Sequence, residues 1–279
     1  MGAIHFVVFR GKQWAKAALS GTQTMVFRPL CDILNCTQQH SMTVRQVAGH
    51  IAGIRHYAGM EFMSNEYYPD VRSSLKIFMN DDLLFAPGEK YSYSSYGWNL
   101  ISAVLEEASG MPFLEYMQQN VFDKAEMRNM HPDFKDTFQE QKVVFYIKSD
   151  DKNVIGPEVD NSYKWAGGGF IGTATDLLRF NRNVFNGTLI SKSTLTELST
   201  PQTLNNGKTT NYGMGWRATE DKKGRKWIGH GGGSVGGTTM YIAYPDHGIT
   251  VVTLVNLSRA SMDQLAWRVA EQFLTVLEE

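Results

Sequence analysis

The sequence predicts an α/β (α+β) protein in which an antiparallel sheet, built from both chain termini and flanked by helices, carries an inserted helical domain. Three observations predict it. Strand-like runs sit at the two ends, Ile4 to Phe9 near the start and Thr238 to Tyr244 with Ile249 to Asn256 near the finish. Helical periodicity occupies the middle, strongest at Leu100, Ile101, Val104 and Leu105. A last amphipathic run, Met262 to Leu277, is placed to cover the sheet. The boundaries that follow are residues 1–30 and 165–279 for a sheet-plus-helix domain, and 31–164 for the helical insert.

Taken in order, Ile4 to Phe9 is apolar and β-favouring, Arg10-Gly11-Lys12 can turn, and Gln13 to Leu19 completes an N-terminal hairpin. Thr43 is expected to cap a helix, with Gln46 as its capping-box partner. Pro87-Gly88 breaks the chain, and the periodic helix that follows has Glu106 and Glu107 on its polar side and a stop at Gly110-Met111-Pro112. Phe113 to Val121 reads as a further short helix. Lys135 to Pro157 is a polar connector with weak strand content around Val143 to Ile147. Gly167-Gly168-Gly169 turns the chain before a helix capped by Thr173 or Thr175. Pro245-Asp246-His247-Gly248 joins the last two strands as a hairpin. The terminal helix places Leu265, Val269, Phe273 and Leu277 at helical spacing, and that stripe is expected to be its buried face.

Charge and composition exclude several classes of partner. Lys+Arg 27 against Asp+Glu 28 gives a net charge of -1, so no basic excess is available for a phosphate backbone, and nucleic acid is not an expected partner. No apolar run reaches the roughly 20 residues of a membrane helix, and the opening residues lack the basic flank and apolar length of a signal peptide. No membrane partner is expected, and the cytosol is the default compartment. Cys31 and Cys36 alone make neither a disulfide framework nor zinc spacing, and His50 and His56 match no metal pattern. No cofactor or metal is expected.

Two glycine-rich motifs invite chemistry. Gly231-Gly232-Gly233 lacks the Lys-Ser/Thr of a phosphate loop and precedes a strand rather than a helix. The overlapping Gly232-Gly233-Ser234-Val235-Gly236 fits a nucleophile elbow, but an elbow lies between strand and helix with acid and His downstream, so Ser234 is set aside. The hydroxyl cluster Tyr91-Ser92-Tyr93-Ser94-Ser95-Tyr96 reads by itself as a capped helix start, with Ser94 or Ser95 as the cap.

Linked together, these segments resemble the serine β-lactamase-like family, the penicillin-recognising hydrolases that include class C β-lactamases, DD-peptidases and related esterases. Within it the likeness is greatest to the mitochondrial branch and its bacterial relatives. The motifs run in family order: Thr43 to Gln46, His50 to Tyr57, Pro87-Gly88 leading to Tyr93-Ser94-Ser95-Tyr96-Gly97, Asp160 to Phe170, Tyr212 to Trp216, and His230-Gly231-Gly232. The resemblance implies a β-lactamase/transpeptidase-like fold, acyl transfer on an amide or ester, and a small-molecule or peptide substrate. It makes Tyr93 the proton-moving phenol, with its pKa lowered by a neighbouring lysine. Ser95 stands where Asn is commoner, and His230 heads the strand motif whose Gly231 and Gly232 leave room for an acyl group. Tyr93 and His230 should then face one cleft, within roughly 12 Å of each other.

The family's Ser-x-x-K nucleophile does not stand in its place. In the stretch Thr24 to Leu34, Cys31 occupies the Ser position and Leu34 the Lys position. Ser73-Ser74-Leu75-Lys76 and Ser149-Asp150-Asp151-Lys152 fit the pattern but lie out of family order, leaving Cys31 and Ser73 as substitute nucleophiles. Two function classes stay open: a serine hydrolase of impaired activity, and a non-catalytic binding or scaffold protein, including a truncated gene product, derived from the same family.

Overall fold

The computed structural model describes residues 42–135, 142–261 and 263–278; the expected N-terminal hairpin and Cys31 lie outside them. Thr43 opens helix α1 (Val44–Ala48) with the capping box its sequence specifies, since Gln46 N donates to Thr43 Oγ1 at 3.1 Å and Thr43 N to Gln46 Oε1 at 2.9 Å. Helix α2 (Val71–Leu75) is capped by Asp70. Helix α3 (Ser95–Ser109) starts at Ser94, whose Oγ accepts from Gly97 N at 3.0 Å, and ends at Gly110 in the left-handed region, φ 66°. Every residue of α3 from Ser95 to Leu105 is buried, so it forms the spine of the helical layer. Helix α4 (Phe113–Met117) continues into a π turn, Gln118–Phe122.

Strand β1 (His131–Pro132) precedes a hairpin of β2 (Tyr146–Ser149) and β3 (Lys152–Ile155). The hairpin begins three residues later than the expected Val143 to Ile147. Its turn is made by Asp150 and Asp151, both at positive φ, where the sequence signal is weaker than Asn-Gly or Asp-Gly would give. Strand β4 (Phe170–Ile171) pairs with β1, and Thr173 caps helix α5 (Ala174–Phe185); helix α6 (Lys192–Ser199) follows.

The main sheet is antiparallel in the order β5 (Arg217–Glu220), β6 (Lys226–Ser234), β7 (Gly237–Tyr244), β8 (Ile249–Val255). A tight Val235-Gly236 turn joins β6 to β7, and the Pro245–His247 turn joins β7 to β8 as the sequence predicts. β5 pairs with β6 only as far as Gly229, whereas β7 pairs with it through Ser234, so residues 230–234 are paired on one edge only among the described residues.

Helix α7 (Asp263–Glu278) covers the far face of this sheet, but not with the expected stripe. Ala266, Ala270 and Leu274 are fully buried against Trp227, Ile242, Tyr244 and Val251. Leu265, Phe273 and Leu277 are 44%, 61% and 61% exposed, and Val269 is partly buried. The buried stripe is one residue further along the same i, i+4 ladder: small alanines let the helix approach the sheet, a fit that hydrophobicity alone does not report. Arg225 adds an ionic clasp, holding Asp221 beside it and reaching Glu271 and Glu278 on α7, while Lys223 bonds Glu271 at 2.6 Å. A larger core runs continuously from Val47 through the α3 spine to Tyr241 and Ala243 of the sheet. No described helix is long and apolar enough to cross a membrane.

Candidate active site

The site grows from the N-terminus of α3, where backbone amides point outward and need acceptors. Ser94 N donates to His50 Nδ1 and Ser95 N to His56 Nδ1, each at 3.1 Å. Both rings therefore carry their proton on Nε2 and are held neutral. Burial pushes the pKa of His50 well below its ordinary value, helped by the proximity of further proton-binding groups, His230 and His56, and of the Arg217 cation. Burial also lowers that of His56, seconded by Lys164 and opposed by Glu61. The two histidines, which fit no metal spacing, are supports for the Tyr93-Ser94-Ser95 corner.

That corner presents Tyr93 to the sheet. Its ring centroid lies 4.4 Å from His50, 5.4 Å from His56 and 5.9 Å from His230, so the phenol just ahead of α3 and the strand-borne imidazole share one cleft as the resemblance implies. The Ser95 hydroxyl hydrogen-bonds toward both the Tyr57 and Tyr93 phenols. The expectation of a lowered Tyr93 pKa is not met. Burial raises it, and the Ser95 hydrogen bond and Arg217 offset only part of that rise.

On the opposite wall, His230 Nδ1 lies 2.6 Å from the carbonyl of Gly231, which only accepts, so Nδ1 is the protonated nitrogen. His230 is 4% exposed. With a strand's period of two, His230, Gly232 and Ser234 share a face of β6. They line, with Gly231 and Gly233, a cleft of about 890 Å³ between that edge, the α3 corner and the β2–β3 hairpin.

The floor is the Trp165–Gly169 turn. A Cβ on Gly167 would stand 2.8 Å from both Asn99 Oδ1 and Ser95 O, and one on Gly169 would stand 2.8 Å from Trp165 N. Gly168 takes φ 138° and lines the cleft, while Trp165 itself is held at φ 40°. The close packing beneath the cleft thus rests on glycine at 167 and 169, and at 168 on backbone conformation.

Two residues escaped the sequence reading. Lys164 is 4% exposed, lines the cleft, and lies 3.0 Å from Ser234 Oγ. Its signal was present: it is a lone cation in the uncharged run Asn161-Ser162-Tyr163-Lys164-Trp165-Ala166. Arg217, at the start of β5, reaches the same cleft. With Lys148 and Arg259 these make four cations among the lining residues, which include no carboxylate.

Ser73 is placed elsewhere. Its hydroxyl donates to the Asp70 carbonyl at 2.7 Å as part of the α2 cap, and it does not line the cleft. Ser149 pairs with Lys152 across the β2–β3 hairpin, also outside the lining.

The helical layer, the antiparallel sheet and the cleft between them make this a β-lactamase/transpeptidase-type fold. The chain belongs to the beta-lactamase family, whose family model matches residues 28–274. It is 30% identical over 253 residues to the mitochondrial serine beta-lactamase-like protein LACTB of Homo sapiens, covering 76% of this chain and 46% of that protein. It is 27% identical over 252 residues to penicillin-binding protein 4* of Bacillus subtilis, covering 84% of this chain and 55% of that one. The chain thus spans about half the length of these relatives. Among solved structures, a penicillin-binding protein from Bacillus halodurans superposes with a TM-score of 0.73 at 23% identity, over 88% of this chain and 77% of that one. A D-stereospecific amidohydrolase from Streptomyces gives 0.73 at 21%, over 88% and 78%.

Proposed function

We propose that this chain is an acyl-transfer serine hydrolase of the β-lactamase type, acting on an amide or ester that carries a carboxylate, with turnover by the family route impaired. The observation that carries this reading is the lining of the cleft: Tyr93, Ser95 and His230 meet at the half-paired edge of β6, beneath four cations and no carboxylate. An extended acyl substrate fits such an edge as an added strand, with main-chain hydrogen bonds fixing its carbonyl. Lys148, Arg217 and Arg259 supply the field for its anionic end. Impairment follows from Cys31 and Leu34 at the places where the resemblance puts the nucleophile and its lysine. Losing the nucleophile of a serine hydrolase costs about a million-fold in rate while binding and oxyanion stabilisation persist.

Titration calorimetry with benzylpenicillin and with its methyl ester tests the reading. Binding of the acid, several-fold weaker for the ester and for Arg217→Gln, is the expected result, with slow release of penicilloate by wild type. Equal affinity for acid and ester, or no binding of either, would overturn it. Binding with no covalent or hydrolytic product at all would instead support the non-catalytic descendant, which the Cys31 and Leu34 positions favour.

A further inference from the structure

We infer that Ser234 and Lys164 form a serine–lysine dyad, and that the cleft is acylated at Ser234 Oγ, at the turn end of β6. The inference deepens the acyl-transfer reading and rests on it. Ser234 was set aside as an elbow nucleophile because a strand follows it and no His and acid lie in order beyond it. A serine–lysine pair needs neither; it needs one base within hydrogen-bond reach and a cleft to work in. Lys164 Nζ meets that requirement at 3.0 Å, and both residues line the cleft.

The lysine's surroundings suit a base rather than a fixed cation. Lys164 bonds no carboxylate among the described residues. The acidic group that acts on it, Asp133, is committed to Lys142 at 2.7 Å and to Asn161 Nδ2 at 2.7 Å. The other groups facing Lys164 are His56 and the rings of Tyr57 and Tyr163, centred 6.0 and 5.5 Å from Nζ. Burial among them brings the Lys164 pKa down to about 8, so roughly a tenth of the molecules hold a free amine at pH 7.

The chemistry balances without a co-reactant other than water. The Lys164 amine takes the Ser234 Oγ proton as the oxygen bonds to the substrate carbonyl carbon. The tetrahedral oxyanion collapses with cleavage of the C–O or C–N bond, and the leaving group departs as alcohol or amine with the proton from Lys164. Water then attacks the Ser234 ester, Lys164 accepts its proton, and that proton returns to Ser234 Oγ as the acid leaves. Ser234 lies four residues along β6 from His230, about 13 Å at strand rise, so acylation there proceeds without the Tyr93 phenol.

The test is labelling of the full chain with an alkyl fluorophosphonate from pH 6 to 9.5, read by intact mass and peptide mapping. The expected result is one adduct, on Ser234, with a rate that rises through about pH 8 and then levels. Lys164→Met should slow it at least 100-fold. Lys164→Arg, which keeps a donor to Ser234 but cannot lose its proton, should slow it as much while retaining the wild-type melting temperature. A merely structural lysine would be rescued by arginine, so labelling of that variant at the wild-type rate overturns the dyad. Mapping on the unaltered chain needs no variant to fold. An adduct on another serine overturns the dyad and leaves the acyl-transfer reading standing. No adduct with penicillin binding intact does the same, and loss of both removes the two together.

Discussion

Gly167 shows how a single hydrogen atom sets the geometry of the cleft. Gly167→Ala would drive a methyl group into Ser95 O and Asn99 Oδ1, one of them backbone, and should cost about 1–3 kcal/mol in denaturant unfolding. Gly233→Ala meets nothing within 4 Å and should stay within about 0.5 kcal/mol. His50 makes a second residue-level test. Its native pKa is lowered, so between that value and the unfolded pKa of about 6.5 the unfolded chain binds more protons. Its contribution is complete above about pH 7.5 and declines as pH falls through about 6.5. The melting temperature should therefore drop from pH 7.5 to 5. It should drop less for His50→Asn, which has no titrating group there yet keeps the site, since asparagine tolerates the φ of 60° and its amide oxygen can accept from Ser94 N. Much of the candidate site is legible at this scale. Tyr93, Ser95 and His230 are flagged by order of motifs, whereas Lys164 is not, because its meaning depends on a partner 70 residues away.

At the level of elements, local signals were read where local physics decides. Thr43, Ser94, Thr173 and Gly110 terminate their helices as capping chemistry requires, because each acts within four residues of chain. The terminal helix was read in extent but not in rotation. Leu265, Phe273 and Leu277 outscore Ala266 and Ala270 in hydrophobicity, yet the stripe that packs on the sheet is Ala266, Ala270 and Leu274, small at two of its three positions. Ala270→Leu should consequently destabilise by about 1–3 kcal/mol through overpacking, while Phe273→Ala should change stability by less than about 0.5 kcal/mol. Chemical denaturation of the two variants side by side checks the rotation, and the opposite ranking would restore the stripe read from sequence.

For the molecule as a whole, charge is nearly balanced at -1, yet its distribution is not. Four cations converge on the cleft, so the local field is positive although the chain is slightly acidic. An anionic ligand should be drawn in faster at low salt, and its association rate should fall roughly 3- to 10-fold between 50 and 500 mM salt, as measured by stopped-flow fluorescence. A neutral ester of the same ligand should show little change. Net charge, the quantity a sequence reports directly, conceals this because residues 148, 164, 217 and 259 come together only when helical layer and sheet share one core.

The Arg225 clasp has a consequence for how the molecule comes apart. α7 is fastened by a narrow stripe of Ala266, Ala270 and Leu274, by Trp267 against Trp227, and by ion pairs that salt weakens, while β6 and β7 beneath it are locked into the sheet by their own ladder. Opening therefore need not be all-or-none. The amides of α7 should exchange with deuterium through a local detachment, at a rate that climbs with ionic strength, while those of β7 exchange only on complete unfolding. The C-terminal helix would then behave as a separately breathing unit, unlatched by screening Arg225 and Lys223 together.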